Sequence, residues 1–290
     1  MHFKEYKTIL SPRNGMNIYR GCSHGCIYCD SRSKCYQMDH DFEDIEVKLN
    51  APEMLEATLR SKRKKCMIST GAMSDPYIPL ERELQYTRRC LELIYEYGFG
   101  MAIQTKSNGI LRDLDLLTGI NSKTKCVVEM TLTTFDEELC KIIEPNVSTT
   151  TRERFEVLKI MRDHEIPTVV WLCPLLPFIN DTEENLRGIL DYCIEAEVYG
   201  ILNFGIGLTL REGNREYFYE KLDEHFPGLK GKYHRKYANS YVVNSDQNGR
   251  LMEIFYSECE KHRIETDHKR IFEYLHTFEE KNRYEQMSLF

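Results

Sequence analysis

The sequence predicts an α/β fold in which parallel strands are joined by helical crossovers, followed by a helical C-terminal extension. Three observations predict it. Short apolar runs and longer amphipathic segments alternate between Gly15 and Gly207, which is the pattern of parallel strands with helical connections. The alternation repeats about six times, short of the eight units of a closed (β/α)8 barrel. From Arg211 onward it stops, and helical spacing takes over.

Each element has its own signal. Gly15–Arg20 reads as a short strand, and Ala51–Lys62 as a helix. Cys66–Thr70 is a compact strand ending at Gly71. Arg82–Gly98 is an amphipathic helix closed by glycine. Gly100–Lys106 and Ile110–Ile120 form the next strand and helix, and Cys126–Thr134 a further strand. Thr151–Glu165 is helical, Pro167–Cys173 strand-like, and Asp181–Glu197 helical with an acidic first turn. Tyr199–Gly207 is the last clear strand, and Ser245–Arg263 and Asp267–Lys281 read as helices packed on the core. The chain divides into a core over 1–210, an extension over 211–281 and a tail over 282–290.

Composition narrows the function classes. The 290 residues are 41% hydrophobic and carry a formal net charge of −7. A generic polyanion binder shows the opposite charge balance, although basic residues crowd Arg60–Lys65 and Lys230–Tyr237. Over Lys230–Tyr241, Tyr233, Tyr237 and Tyr241 offer stacking surfaces and Lys232, Arg235 and Lys236 phosphate contacts; the alternative is that the tyrosines pack the C-terminal helices onto the barrel, the role expected of Tyr241 in its apolar run. Met1–Leu10 is polar and charged, unlike a secretory signal. The longest apolar stretch, Thr168–Ile179, is too short to span a membrane and contains two prolines. A cytoplasmic protein with no membrane association is expected. In a reducing compartment, clustered thiols mean metal or redox chemistry rather than disulfides. Of eleven cysteines, eight are scattered and read as small buried hydrophobes.

The other three sit together in "GCSHGCIYCD", as Cys22, Cys26 and Cys29. Structural zinc takes four ligands, commonly from two close pairs; Cys35 and His24 are near enough to keep zinc open. A 4Fe–4S cluster also normally takes four thiolates. Three thiolates would leave one iron free for a substrate or cofactor. Gly21 and Gly25 permit the turns of a tight loop, and Tyr28 puts an aromatic ring before the last thiol.

Three cysteines spaced C-x3-C-x2-C with an aromatic before the third resemble the radical S-adenosylmethionine enzymes. The resemblance implies a partial (β/α)6 barrel, a 4Fe–4S cluster on Cys22, Cys26 and Cys29, and S-adenosyl-L-methionine on the open iron. One-electron cleavage there yields a 5′-deoxyadenosyl radical, so an electron donor such as flavodoxin or ferredoxin is implied as well. "NIYRGCSHGCIYC", "TGAMSDPYIPLE", "TKSNGILRDLDLL" and "EPN" with Arg154 downstream are similar to the branch related to spore photoproduct lyase. By that resemblance Ser69, Thr70 and Gly71 receive the methionine amino group. Lys106 and Thr131 contact the cofactor from the next two strand ends, with Tyr28, Glu144 and Arg154 completing the cofactor set.

The hydrogen donors depart from the pattern. Spore photoproduct lyase has a tyrosine directly after the third cluster cysteine, where this chain has Asp30. It has a cysteine where this chain has Ala72. Tyr28 and Tyr77 are the remaining catalytic candidates, and a substrate other than spore photoproduct is expected. A final clue is "QMSLF", Gln286, Met287, Ser288, Leu289 and Phe290. It resembles the peptide by which bacterial replication and repair proteins enter the sliding clamp, which favours DNA as the nucleic-acid partner. The same chemistry on RNA or protein, and a non-catalytic zinc or iron–sulfur module, are the alternatives.

Overall fold

The computed structural model describes residues 1–281. The clamp-like peptide Gln286–Phe290 lies outside the described residues. The core is a six-stranded, all-parallel sheet whose strands follow sequence order: Gly15–Met16, Met67–Thr70, Gly100–Thr105, Cys126–Thr131, Thr168–Trp171 and Gly200–Leu202. Sequential order with helical crossovers curls the sheet into an open barrel. The expected partial six-unit barrel is the observed fold.

Strand alternation sorts the side chains. Ile68, Met101, Ile103, Cys126, Val128 and Met130 point to the outer helices and are buried with Leu55, Leu91 and Leu158. Met67, Ala102, Val127, Val169 and Leu202 point inward and form a separate apolar floor. The C-terminal helix His268–His276 closes that floor with Ile271 and Leu275. Above the floor, the strand ends open upward toward the loops.

Several elements differ from expectation. Gly15–Arg20 is two strands, because Tyr19–Arg20 leaves the barrel to pair with Glu46–Lys48, which in turn pairs with His2–Lys4 in a small second sheet. The helix expected over Arg82–Gly98 breaks at Gln85, whose φ of 54° is left-handed. It resumes over Tyr86–Glu96, with Thr87 N–H donating to the Glu81 carboxylate. The last barrel strand ends at Leu202, and Gly207–Thr209 pairs antiparallel with Val242–Asn244 instead. The helices Glu137–Ile143, Asn214–His225 and Leu229–Tyr237 and the N-terminal strand had no clear sequence signal.

Within the basic aromatic segment Tyr233 is a core residue and Tyr241 an exposed one. Tyr233 is fully buried and donates its hydroxyl to Pro177 O at 2.7 Å. Lys230 pairs with Asp223 and Lys236 with Asp246. Among the described residues no helix is long and apolar enough to cross a membrane.

Candidate active site

The cluster loop lies over the C-terminal ends of the barrel strands. Gly21 and Gly25 have φ of 84° and 68°. A Cβ on Gly25 would stand 2.9 Å from Asn146 Nδ2. Loop and "EPN" segment interlock further, with Ile27 N–H on Ile143 O at 3.0 Å and Asn146 N–H on His24 O at 3.1 Å. On the other side Cys22 N–H donates to Phe42 O at 3.0 Å and Ser74 Oγ to Gly21 O at 2.5 Å.

Asp75 fastens the loop to the barrel. Its Oδ1 accepts from Tyr77 N–H at 2.8 Å and Thr105 Oγ1 at 2.7 Å, and its Oδ2 from Lys106 N–H at 2.8 Å. His24 Nε2 stands 3.2 Å from the same Oδ2. Burial would raise the carboxyl, but the His24 ring and the two backbone donors outweigh it and hold it at about 2.

A cavity of about 410 Å³ opens beneath the loop, within the range of ordinary ligand sites. Cys22, Cys26 and Cys29 line it, facing Gly71, Gln104, Lys106, Thr131 and Cys173 at the strand ends. Thr131 Oγ1 is buried without a hydrogen-bond partner among the described residues. The ammonium of Lys106 lies 5.9 Å from the centroid of the Tyr28 ring. Burial opposes its charge, but Cys26 and Glu144 nearby outweigh burial and raise its pKa. Gly71, with φ of 104°, lies so close to Gln104 O that a Cβ there would collide with it.

The remaining predicted residues stand behind the wall. Tyr28 lines the cavity, while its hydroxyl donates to Glu144, which is ion-paired with Arg154. Glu144 and Arg154 are both buried. Arg154 also donates to Thr131 O at 3.2 Å and Thr149 O at 2.8 Å. The pair thus braces both Tyr28 and the strand end that carries Thr131. Ser69 and Thr70 precede Gly71 without lining the cavity. Tyr77 turns outward and donates to Asp113 Oδ2 at 3.1 Å.

Sequence reasoning missed Cys173, which was grouped with the scattered buried thiols. It lines the cavity, and burial pushes its thiol up to about 12. Its place at the end of a barrel strand was the available signal. Below it in the lumen, Glu129 accepts from Trp171 Nε1 at 2.7 Å, and burial raises its carboxyl to about 7.

A model of the Radical SAM superfamily matches residues 16–190. This chain belongs to the radical SAM superfamily. An uncharacterized protein of Mycobacterium tuberculosis is 27% identical over 266 residues, 90% of this chain and 77% of that protein. One of Methanocaldococcus jannaschii is 31% identical over 170 residues, 58% of this chain and 62% of that protein. In fold, the radical SAM chain is similar to a spore photoproduct lyase structure with bound AdoMet and dinucleoside spore photoproduct. The TM-score is 0.59 at 14% identity, covering 84% of this chain and 72% of the other. It is also similar to the radical SAM methyltransferase TsrM of Kitasatospora setae, solved with tryptophan and a SAM analog, with TM-score 0.53 and 15% identity over 73% of this chain and 40% of the other.

Radical SAM enzymes bind a 4Fe–4S cluster and S-adenosylmethionine, and the residues here fit that group. The three thiols face one cavity and form no disulfide. Three thiols on one cavity wall suit a cluster in which each thiolate holds its own iron and one iron stays open to the cavity. Burial pushes the Cys22 thiol up to about 12 and Cys26 well above its ordinary value; the charge of a bound metal would favour their thiolates. Cys35 is exposed, lies outside the cavity wall and meets Arg211 Nη1 at 3.3 Å.

Proposed function

We propose that this radical SAM enzyme acts on DNA, in repair or base modification. The observation that carries the reading is that one chamber joins the cluster thiols to an aromatic mouth. Phe204 on the cavity wall is 56% exposed. Tyr241 is 47% exposed beside Val242, and Arg211 Nη2 donates to its hydroxyl at 2.9 Å. Exposed rings beside a guanidinium suit stacked bases, each worth about 1–3 kcal/mol. The fold likeness to a lyase solved with a dinucleoside lesion supports the reading. So does the clamp-like sequence Gln286–Phe290.

When bound, the cluster and S-adenosylmethionine supply a 5′-deoxyadenosyl radical that takes hydrogen from substrate. This chain's residues hold and protect that chemistry. The Lys106 ammonium pairs with the cofactor's carboxylate. Gly71, on the cavity wall, would receive the amino group at the strand end that Ser69 and Thr70 lead into, and Thr131 Oγ1 would gain the partner it lacks. Tyr28 packs the cofactor while Glu144 and Arg154 hold Tyr28 in place. Tyr77 buttresses the Asp75 turn. Asp30 and Ala72 line the cavity where the lyase has its donors. Neither offers a weak X–H bond, and Cys173 does. Cys173 would be the group placed to give a substrate radical its hydrogen, with one electron and one proton from a flavodoxin- or ferredoxin-type donor needed to restore the thiol.

The test is to incubate cluster-loaded protein with reductant and S-adenosylmethionine and measure 5′-deoxyadenosine, alone and with DNA, RNA or peptide. Stimulation by DNA is expected. Stimulation by RNA or peptide alone sinks the DNA reading, and no 5′-deoxyadenosine under any condition sinks the radical reading.

A further inference from the structure

The small N-terminal sheet holds a second cluster of ligating side chains, away from the cavity. Each of His2, His40 and Glu46 offers an atom that lies within 4.8 Å of the other two. The rings of His2 and His40 meet edge to face with centroids 4.9 Å apart.

The hydrogen bonds around these residues select the free atoms. His2 Nδ1 stands 2.9 Å from Asp44 Oδ2, and His40 Nδ1 stands 2.9 Å from Asp41 O. Both partners only accept, so in the neutral ring the tautomer they favour carries its proton on Nδ1. Both Nε2 atoms are then lone-pair sites. A second ring nitrogen donating to a carboxylate or a backbone carbonyl is the usual support of a metal-bound histidine. His40 Nε2 is buried with no partner among the described residues.

Glu46 is arranged in the same way. Its carboxylate is buried, with Oε1 accepting from Tyr6 and standing 3.5 Å from Arg20 Nη1. Its Oε2 is buried, accepts no neutral donor and lies 3.5 Å from His2 Nε2. One cation competes: Lys4 Nζ stands 3.1 Å from Oε2, on a side chain 46% exposed that can swing into solvent.

We propose that His2 Nε2, His40 Nε2 and Glu46 Oε2 bind a first-row divalent cation, with Zn(II) the best match to two imidazoles and a carboxylate. A water completes the tetrahedron. The ion ties the strand His2–Lys4 to the segment whose Phe42 O holds Cys22 N–H, and so braces the cluster loop from behind.

The probe is Zn(II) titrated anaerobically into untagged, cluster-loaded full-length protein, with iron measured throughout so that the three thiols stay occupied. One zinc per chain is expected. His2→Ala and His40→Ala should abolish saturable binding while iron content is kept, and Lys4→Met should tighten it by removing the competing ammonium. Removing the supporting carboxylate in Asp44→Ala should weaken binding about 10–100-fold. Absence of zinc binding, or wild-type binding in both histidine variants, overturns the site. X-ray absorption at the zinc edge of the wild-type protein decides the matter independently of any variant's folding. A nitrogen and oxygen shell supports the site, and a sulfur shell refutes it.

Discussion

His24 and Asp75 meet at 3.2 Å between Nε2 and Oδ2, and through that contact the cluster loop is joined to the third barrel strand. Asp75 also holds the backbone of Lys106, so one carboxylate sets the height of the loop and the position of the lysine together. Asp75→Ala strands these donors in a buried site and should destabilise the protein by about 3–5 kcal/mol. Asp75→Asn keeps an acceptor and should lose about 1–2 kcal/mol. Urea denaturation of both variants, with iron content measured alongside, checks the order. Equal stabilities would mean the carboxylate is not the joint.

Cys22→Ala, Cys26→Ala and Cys29→Ala should each abolish cluster assembly, whereas Cys35→Ala should keep its iron. The structure gives the reason: Cys35 lies outside the cavity and against Arg211. Iron and sulfide analysis of the four anaerobic preparations is the measurement. Loss of iron in Cys35→Ala equal to that in the triplet variants would establish a closed four-thiolate site.

Lys106→Ala should weaken S-adenosylmethionine binding and leave iron content unchanged. A charge-assisted hydrogen bond is worth about 1.5–3 kcal/mol, roughly ten- to hundred-fold in affinity. Equilibrium binding to the cluster-loaded variant reads this directly. Unchanged affinity would leave the ammonium without a role in the cavity.

Glu129 gives a pH signature. Its carboxyl is raised from 4.5 to about 7 in the fold by burial. The folded state therefore holds this proton more tightly than the unfolded chain. Stability from this group is full below the unfolded pKa and falls as pH rises from about 4.5 to 7. The total is of order 3 kcal/mol. Glu129→Gln should remove that slope and be the more stable protein at pH 8, as thermal or urea unfolding across the range will report. An identical slope in the variant would assign the pH dependence to other groups.

The barrel was legible because its strands are buried on both faces. Runs such as "GMAIQT" and "CVVEMT" announce themselves by composition alone. The triplet was legible because three thiols at close spacing have few other uses. The elements that were missed draw their stability from partners distant in sequence. His2–Lys4 is a strand only beside Glu46–Lys48, and Val242–Asn244 only beside Gly207–Thr209. Tyr233 looked like a stacking surface because its neighbours are basic, yet its ring is packed among Phe178, Phe218 and Tyr219. Cys173 looked inert because an apolar run conceals which residue stands at the rim. Glu144 and Arg154 also read from sequence as a structural ion pair across a loop, and the structure shows that pair.

The cavity wall at Val242 and Asn244 comes from a part of the chain made long after the thiols at 22–29. At a synthesis rate of ~5–20 residues per second, the delay is on the order of ten to forty seconds. For that interval the nascent cysteines stand without their far wall. Delivery of iron and sulfide has an open approach then that the finished molecule narrows. Oxygen has the same approach. The closing strand narrows the approach for both.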